Sequence, residues 1–287
     1  MTEPTLFAES GFLRIRIDLA YDGTNYSGWS KQPDRRTIQS ELESALQKLT
    51  RVPVETIVAG RTDAGVHATG QVVHVDIPEM ENGPYSKKVN WNISELPYRL
   101  NRILDEDVRI LSVSIAPVGF HARFSALRRH YEYKILDSNR SILPLRRFDV
   151  APWYRPLNID LMNESSTLLL GEHDFAAFCK FRPGSTTIRT LETFTWRRND
   201  DGYLVAKITA DAFCYSMVRN LVGAVVCVAD GRFPTQWVKD VLGNRQRISD
   251  SLVFPSRGLT LVQVDYPSDD QLLARIETTL RRRGEED

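Results

Sequence analysis

The stretch Val58-Ala59-Gly60-Arg61-Thr62-Asp63-Ala64-Gly65-Val66-His67-Ala68-Thr69-Gly70-Gln71 decides how the rest of the chain is read. An apolar run from Val52 to Val58 leads into it, and the alternating Val73-His74-Val75-Asp76-Ile77 follows; both flanks read as strands. A connection that carries Gly60, Gly65 and Gly70 beside an arginine and an aspartate is a loop on a rigid support. Such loops hold binding and catalytic groups, and glycine lets the backbone turn sharply under another molecule. It is not a phosphate loop, because no Gly-Lys-Ser/Thr follows, and the G-x-G-x-x-G dinucleotide spacing is absent. Asp63 by itself has two readings: a turn-former bonding its own backbone, or a reactive carboxylate.

Outward from the loop, Leu13, Ile15, Ile17, Leu19 and Tyr21 alternate within residues 12–21, a half-buried strand. Asp22-Gly23-Thr24-Asn25 turns the chain, and Ile38, Leu42, Ala45, Leu46 and Leu49 share one helical face behind Thr37 as cap. Beyond the loop come a helix over Pro97–Leu104 and a strand over Val108–Ala116, completing β-α-β-β-α-β. The second half repeats that order. It has a strand around Tyr131–Ile135, a helix over Ile159–Leu170, paired strands over Thr186–Arg197 and Tyr203–Ala210, a helix over Phe213–Ala229, a short extra helix over Pro234–Leu242 and a strand over Leu259–Asp265. The predicted fold is α+β: two ferredoxin-like (βαββαβ) halves with mainly antiparallel sheets and an active-site cleft between them. The expected boundaries are 1–119, 120–267 and a helical tail, 268–287, read as a surface helix with a frayed charged end.

At 287 residues, 42% hydrophobic and 26% charged, the composition is that of a soluble globular protein. The absence of a secretory pattern at the N-terminus and of a long apolar run predicts a cytoplasmic protein off the membrane. Cys179, Cys214 and Cys227 form no C-x-x-C pair and the histidines are scattered. No structural disulfide, zinc site or other metal is expected. Net charge is zero, 37 basic against 37 acidic residues, but positive charge gathers between His121 and Pro156. Arginine dominates the cations and suits bidentate phosphate contacts, although a base-composition bias in the genome gives the same excess.

The helix over 213–229 is apolar almost all round and so buried, with Arg219 its only cation. Such a guanidinium calls for a carboxylate or phosphate beside it, or else it pairs with an ordinary structural acid or snorkels to the surface. Arg128-Arg129-His130-Tyr131-Glu132-Tyr133 sets cations beside rings, which suits RNA, or is a strand with one buried aromatic face. His67, His74 and His121 read as structural hydrogen-bonding residues.

Gly60-Arg61-Thr62-Asp63-Ala64-Gly65-Val66-His67-Ala68 resembles the catalytic loop of the TruA family of tRNA pseudouridine synthases. The likeness continues in order through Tyr21-Asp22-Gly23-Thr24-Asn25-Tyr26-Ser27-Gly28-Trp29, Arg36-Thr37-Ile38-Gln39, Phe120-His121-Ala122-Arg123-Phe124-Ser125-Ala126, Tyr131-Glu132-Tyr133, Gly171-Glu172-His173-Asp174-Phe175 and Met217-Val218-Arg219-Asn220-Leu221-Val222-Gly223. The resemblance implies isomerisation of uridine to pseudouridine at positions thirty-eight, thirty-nine and forty of the tRNA anticodon stem-loop. It implies no cofactor, no metal, and a homodimer whose subunits share one tRNA. It assigns Asp63 as nucleophile, Arg219 as its ion-pair partner, and Tyr131 and Arg61 to substrate binding. Two segments depart from the family pattern, Phe213-Cys214-Tyr215-Ser216 and Phe254-Pro255-Ser256, and Met80–Asn92 looks like an insertion. The rivals are a non-catalytic RNA-binding protein of the same fold and a hydrolase using Asp63 to activate water.

Overall fold

The computed structural model describes residue 8 and residues 10–79, 91–138, 140–180, 186–244 and 253–284; the insertion-like segment therefore lies mostly outside the described residues. The chain forms two compact units, each mixed α and β with mostly antiparallel strands. One holds Met1–Ala64, Ala68–Leu127 and Val264–Asp287; the other holds Gly65–His67 and Arg128–Gln263.

In the first unit, β1 (Phe12–Tyr21) buries Ile15, Ile17, Leu19 and Tyr21 as its alternation requires. Arg14 is also buried, answered across the ladder by its register partner Asp76, which accepts from Nε at 2.7 Å and Nη2 at 2.9 Å. Helix α1 (Ile38–Thr50) opens with a capping box between Thr37 and Ser40 and buries Ile38, Leu42, Ala45 and Leu46. Glu43 is buried on that face too. Its Oε1 accepts from Gln39 Nε2 and from the Thr56 backbone N–H and hydroxyl, and Lys31 pairs with its other oxygen, so the charge is satisfied. Strand β2 is shorter than expected, Thr56–Val58, because Pro53 cannot supply a ladder donor. Then come β3 (His67–Pro78), α2 (Leu96–Asn101) with Pro97 in its first turn, and β4 (Val108–Ile115). The antiparallel order is β4-β1-β3-β2.

The turn at residues 120–126 confirms His74 and His121 as structural. Ala122 N–H donates to His74 Nδ1 at 3.0 Å, and Arg123 and Phe124 N–H groups donate to His121 Nδ1. Burial, reinforced by His121 and Arg14, pushes His74 down to about 2. The fold holds it neutral while the unfolded chain takes up its proton near pH 6.5. This histidine therefore contributes little to pH dependence well above 6.5, and stability falls increasingly as pH drops below it, by about 1 kcal/mol per pH unit at the steepest. In His74→Asn, Oδ1 replaces Nδ1 as acceptor. Melting temperatures between pH 7 and 5 should then fall less steeply than in the parent; equal slopes would remove His74 as the cause.

The second unit comprises β5 (Arg128–Leu136), β6 (Ala151–Pro152), α3 (Ile159–Thr167), β7 (Gly171–Asp174), β8 (Ile188–Arg198), β9 (Leu204–Ala210), α4 (Met217–Ala229), α5 (Trp237–Asn244) and all but the last two residues of β10 (Leu259–Asp265). Its strands run β10-β5-β9-β8-β7, with β6 parallel to β5. Every α4 residue is buried except Arg219, which is half-buried. The helix begins at Met217 rather than Phe213 because Ser216 takes a left-handed φ of 62° that breaks the helical path. Burial disfavours the Asp137 carboxylate, but bonds from Arg198 and the Leu157 N–H outweigh that and hold it below the usual range.

Two expectations need correction. Cys179 and Cys214 are joined in a disulfide with Cα atoms 5.8 Å apart, where none was expected. Thirty-five residues separate them in sequence, and only the fold makes them neighbours, with Lys180 N–H donating to Tyr215 O beside them. The tail is also more than a surface helix. In α6 (Leu272–Gly284), Leu272 and Ile276 are buried, and Thr279 Oγ1 donates to Phe124 O, docking the helix on the 120–126 turn.

Candidate active site

Between β2 and β3 the chain leaves the ladder, and other elements hold it. Ala59 N–H still reaches Val72 O at 2.8 Å. Gln71 Nε2 then donates to Gly60 O at 2.8 Å and to the Tyr21 hydroxyl at 3.1 Å. That hydroxyl lies 2.8 Å from Thr62 Oγ1, and Trp29 N–H donates to Thr62 O at 3.0 Å. Tyr21, Thr62 and Gln71 are all buried. Burial, only partly offset by Thr62 and Gln71, pushes the Tyr21 phenol up to about 12, so it keeps its proton.

The segment 27–29 is fixed in turn by the start of α1. Ile38 and Gln39 donate to the carbonyls of Gly28 and Trp29, which answers the orphan N–H groups of the helix end. Gly28 sits at φ +92°, where a Cβ would lie 2.9 Å from Thr62 O and 3.1 Å from Ala64 N. Only glycine allows the two backbones to approach so closely.

On this support Asp63 is half-buried and Arg61 exposed. A cleft of about 370 Å³ opens beside Arg61, lined also by Lys31, Gln39 and Glu43; Asp63 is not in its lining. Past Ala64 the chain joins the second unit. There His67 Nε2 lies 2.8 Å from Phe148 O and 3.2 Å from Arg257 O, as expected of a structural histidine.

Within the second unit, Tyr131 is buried on β5 opposite Ile208, with Phe213 edge-on at a centroid distance of 5.1 Å. Arg219 donates from Nε to Phe254 O at 2.8 Å, and Phe254 N–H donates to Arg219 O at 3.1 Å. Tyr133, two residues along β5, donates its hydroxyl to Pro255 O at 2.5 Å. Burial drives its phenol well above the ordinary range despite the opposing charges of Arg219 and Arg257. The two departures from the family pattern thus meet predicted site residues, Phe213 at Tyr131 and Phe254 at Arg219. Arg61 and Asp63 share one loop of the first unit, whereas Tyr131 and Arg219 belong to the second.

Sequence reasoning missed the supports of the loop. Tyr21, Gly28 and Trp29 stood out as a motif, but nothing in their spacing showed that they brace residues 60–64. Among the described residues no cluster of His, Cys, Asp or Glu could hold a metal ion, and no helix is long and apolar enough to cross a membrane.

The family model of tRNA pseudouridine synthases matches residues 19–125 and 166–267, and the chain belongs to that family. Arg61, Asp63 and Arg219 fall inside the matched segments and Tyr131 between them. Relatives named tRNA pseudouridine synthase A bear this out over nearly full length. That of Frankia casuarinae is 49% identical over 94% of this chain and 95% of its own. That of Streptomyces griseus is 50% identical over 93% of each, and that of Mycobacterium leprae 46% identical over 97% of this chain and 98% of its own. Among solved structures, a dye-decolorizing protein from V. cholerae aligns at 10% identity with a TM-score of 0.19, too slight a likeness to bear on the fold.

Proposed function

We propose that this chain isomerises uridine to pseudouridine in tRNA, at positions thirty-eight, thirty-nine and forty of the anticodon stem-loop. The observation that carries the reading is the family's loop sequence around Asp63, set on a built support within a chain alike end to end to relatives named for this reaction. In the reaction the N1–C1′ bond breaks, the base turns, C5 bonds to C1′, and the C5 proton leaves while N1 gains one. Asp63 is the nucleophile, at C1′ or C6, or the base that takes a proton from the sugar. Arg219 pairs with it and keeps it ionised; Tyr131 stacks on the uracil and relays the last proton. Arg61 holds the flipped nucleotide open, since a stacked base is out of reach.

The same reading takes each half as ferredoxin-like, the N-terminal one carrying Asp63 and the C-terminal one Tyr131 and Arg219. The matching strand orders β4-β1-β3-β2 and β10-β5-β9-β8 support this. It includes a homodimer acting in the cytoplasm without cofactor or metal. Tritium release from C5-labelled uridine in tRNA transcripts tests the whole. Release should occur from the parent chain and stop when the three target uridines are replaced by cytidine. Binding without release would leave a non-catalytic RNA-binding protein, and free uracil or a cut strand would mark a hydrolase.

A further inference from the structure

We propose that Tyr21 and Gln71 are positioning residues that aim Asp63 through Thr62; this rests on Asp63 being the reactive carboxylate. Residues 60–66 lie outside the strand ladder, so the aim of residue 63 depends on what grips its neighbour. Thr62 is gripped twice. Its carbonyl takes the Trp29 N–H, and its hydroxyl meets the Tyr21 hydroxyl at 2.8 Å. The Gln71 amide donates into the Tyr21 oxygen, so Gln71, Tyr21 and Thr62 form one buried chain of bonds. Because Tyr21 keeps its proton to about pH 12, ionisation does not disturb these bonds over any working pH. The same Gln71 amide holds Gly60 O, so one buried side chain sets both the stem of the loop and the residue before Asp63.

The ring of Tyr21 fills the core as phenylalanine would; its oxygen serves Thr62 and Gln71. Removing that oxygen leaves Thr62 held by its backbone alone, and a displacement of ångström size at a reacting group costs on the order of a hundredfold in rate. The effect should fall on the chemical step, because none of the three side chains is exposed to RNA.

Single-turnover tritium release and tRNA affinity are measured for Tyr21→Phe, Thr62→Val and Thr62→Ser. The expected result is a rate lower by roughly ten- to a hundredfold in Tyr21→Phe and Thr62→Val. Dissociation constants should stay within about twofold, Thr62→Ser should run near the parental rate because it keeps the hydroxyl, and the double variant should be no slower than either single one. Parental rates in both hydroxyl-deleted chains, with only a lower melting temperature, would reduce the network to fold stability and overturn the proposal. So would a Thr62→Ser chain as slow as Thr62→Val, or losses that multiply in the double variant. A parental rate in Asp63→Ala is the separate result that removes the reading beneath it.

Discussion

Asp63→Ala should bind tRNA with affinity close to the parent chain and release no measurable tritium from C5-labelled uridine, an expected loss of at least about a thousandfold. The side chain is half-buried on a loop whose backbone is held at Gly60 and Thr62, so shortening residue 63 removes the proposed reacting group without dismantling its support. Asp63→Asn separates charge from shape. The amide has the volume of the carboxylate but neither its nucleophilicity nor its basicity, and it should be as inactive as alanine. Single-turnover rates with enzyme in excess over tRNA make the measurement, with filter binding alongside. A residual rate within tenfold of the parent in either chain would sink the assignment of Asp63.

The second large effect lies at a position with no side chain. Gly28→Ala places a Cβ 2.9 Å from Thr62 O, 3.1 Å from Ala64 N and 3.2 Å from the Asp63 carbonyl carbon, all of them backbone atoms that no rotamer change can relieve. Its φ of +92° adds conformational strain of about 1 kcal/mol, and overpacking adds about 1–3 kcal/mol. The melting temperature should drop by roughly 5–10 °C, and the chemical rate should fall more than tenfold because the atoms that must yield belong to the Asp63 loop. Gly231→Ala is the control. It has φ +82° and nothing within 4 Å of the new Cβ, so it carries only the conformational cost and leaves the rate unchanged. If the two chains behave alike, close approach to the loop is not what requires glycine at 28.

Strands whose side chains alternate plainly were legible in the sequence. The reading placed β1 at 12–21 and β10 at 259–265, where the structure has them to within a residue. Other elements were hidden by local chemistry. Strand β7 is only Gly-Glu-His-Asp, too short and too polar to show a period. The run Val52–Val58 looked like one strand, but pairing needs donors and Pro53 has none. At the candidate site, the pattern alone left Asp63 and Arg219 with two readings each, and the resemblance of their segments to the family's is what singled them out. Gln71 could not be picked out, since its bond to Tyr21 spans fifty positions and only strand pairing creates it. Nor could Phe254, whose carbonyl answers the Arg219 guanidinium across a separation of thirty-five.

The two sides of the Asp63 loop depend on parts of the chain that are made far apart in time. Tyr21, Trp29, Gln71 and Val72, which grip residues 59, 60 and 62, are all synthesised within the first 72 residues. His67, by contrast, meets the carbonyls of Phe148 and Arg257, the latter 190 positions further along the chain. On the ribosome, where earlier segments fold first, the Asp63 side of the loop can therefore take shape long before its downstream anchor exists. A truncated chain ending before Arg257 would present the Asp63 loop with His67 lacking one of its two carbonyl contacts.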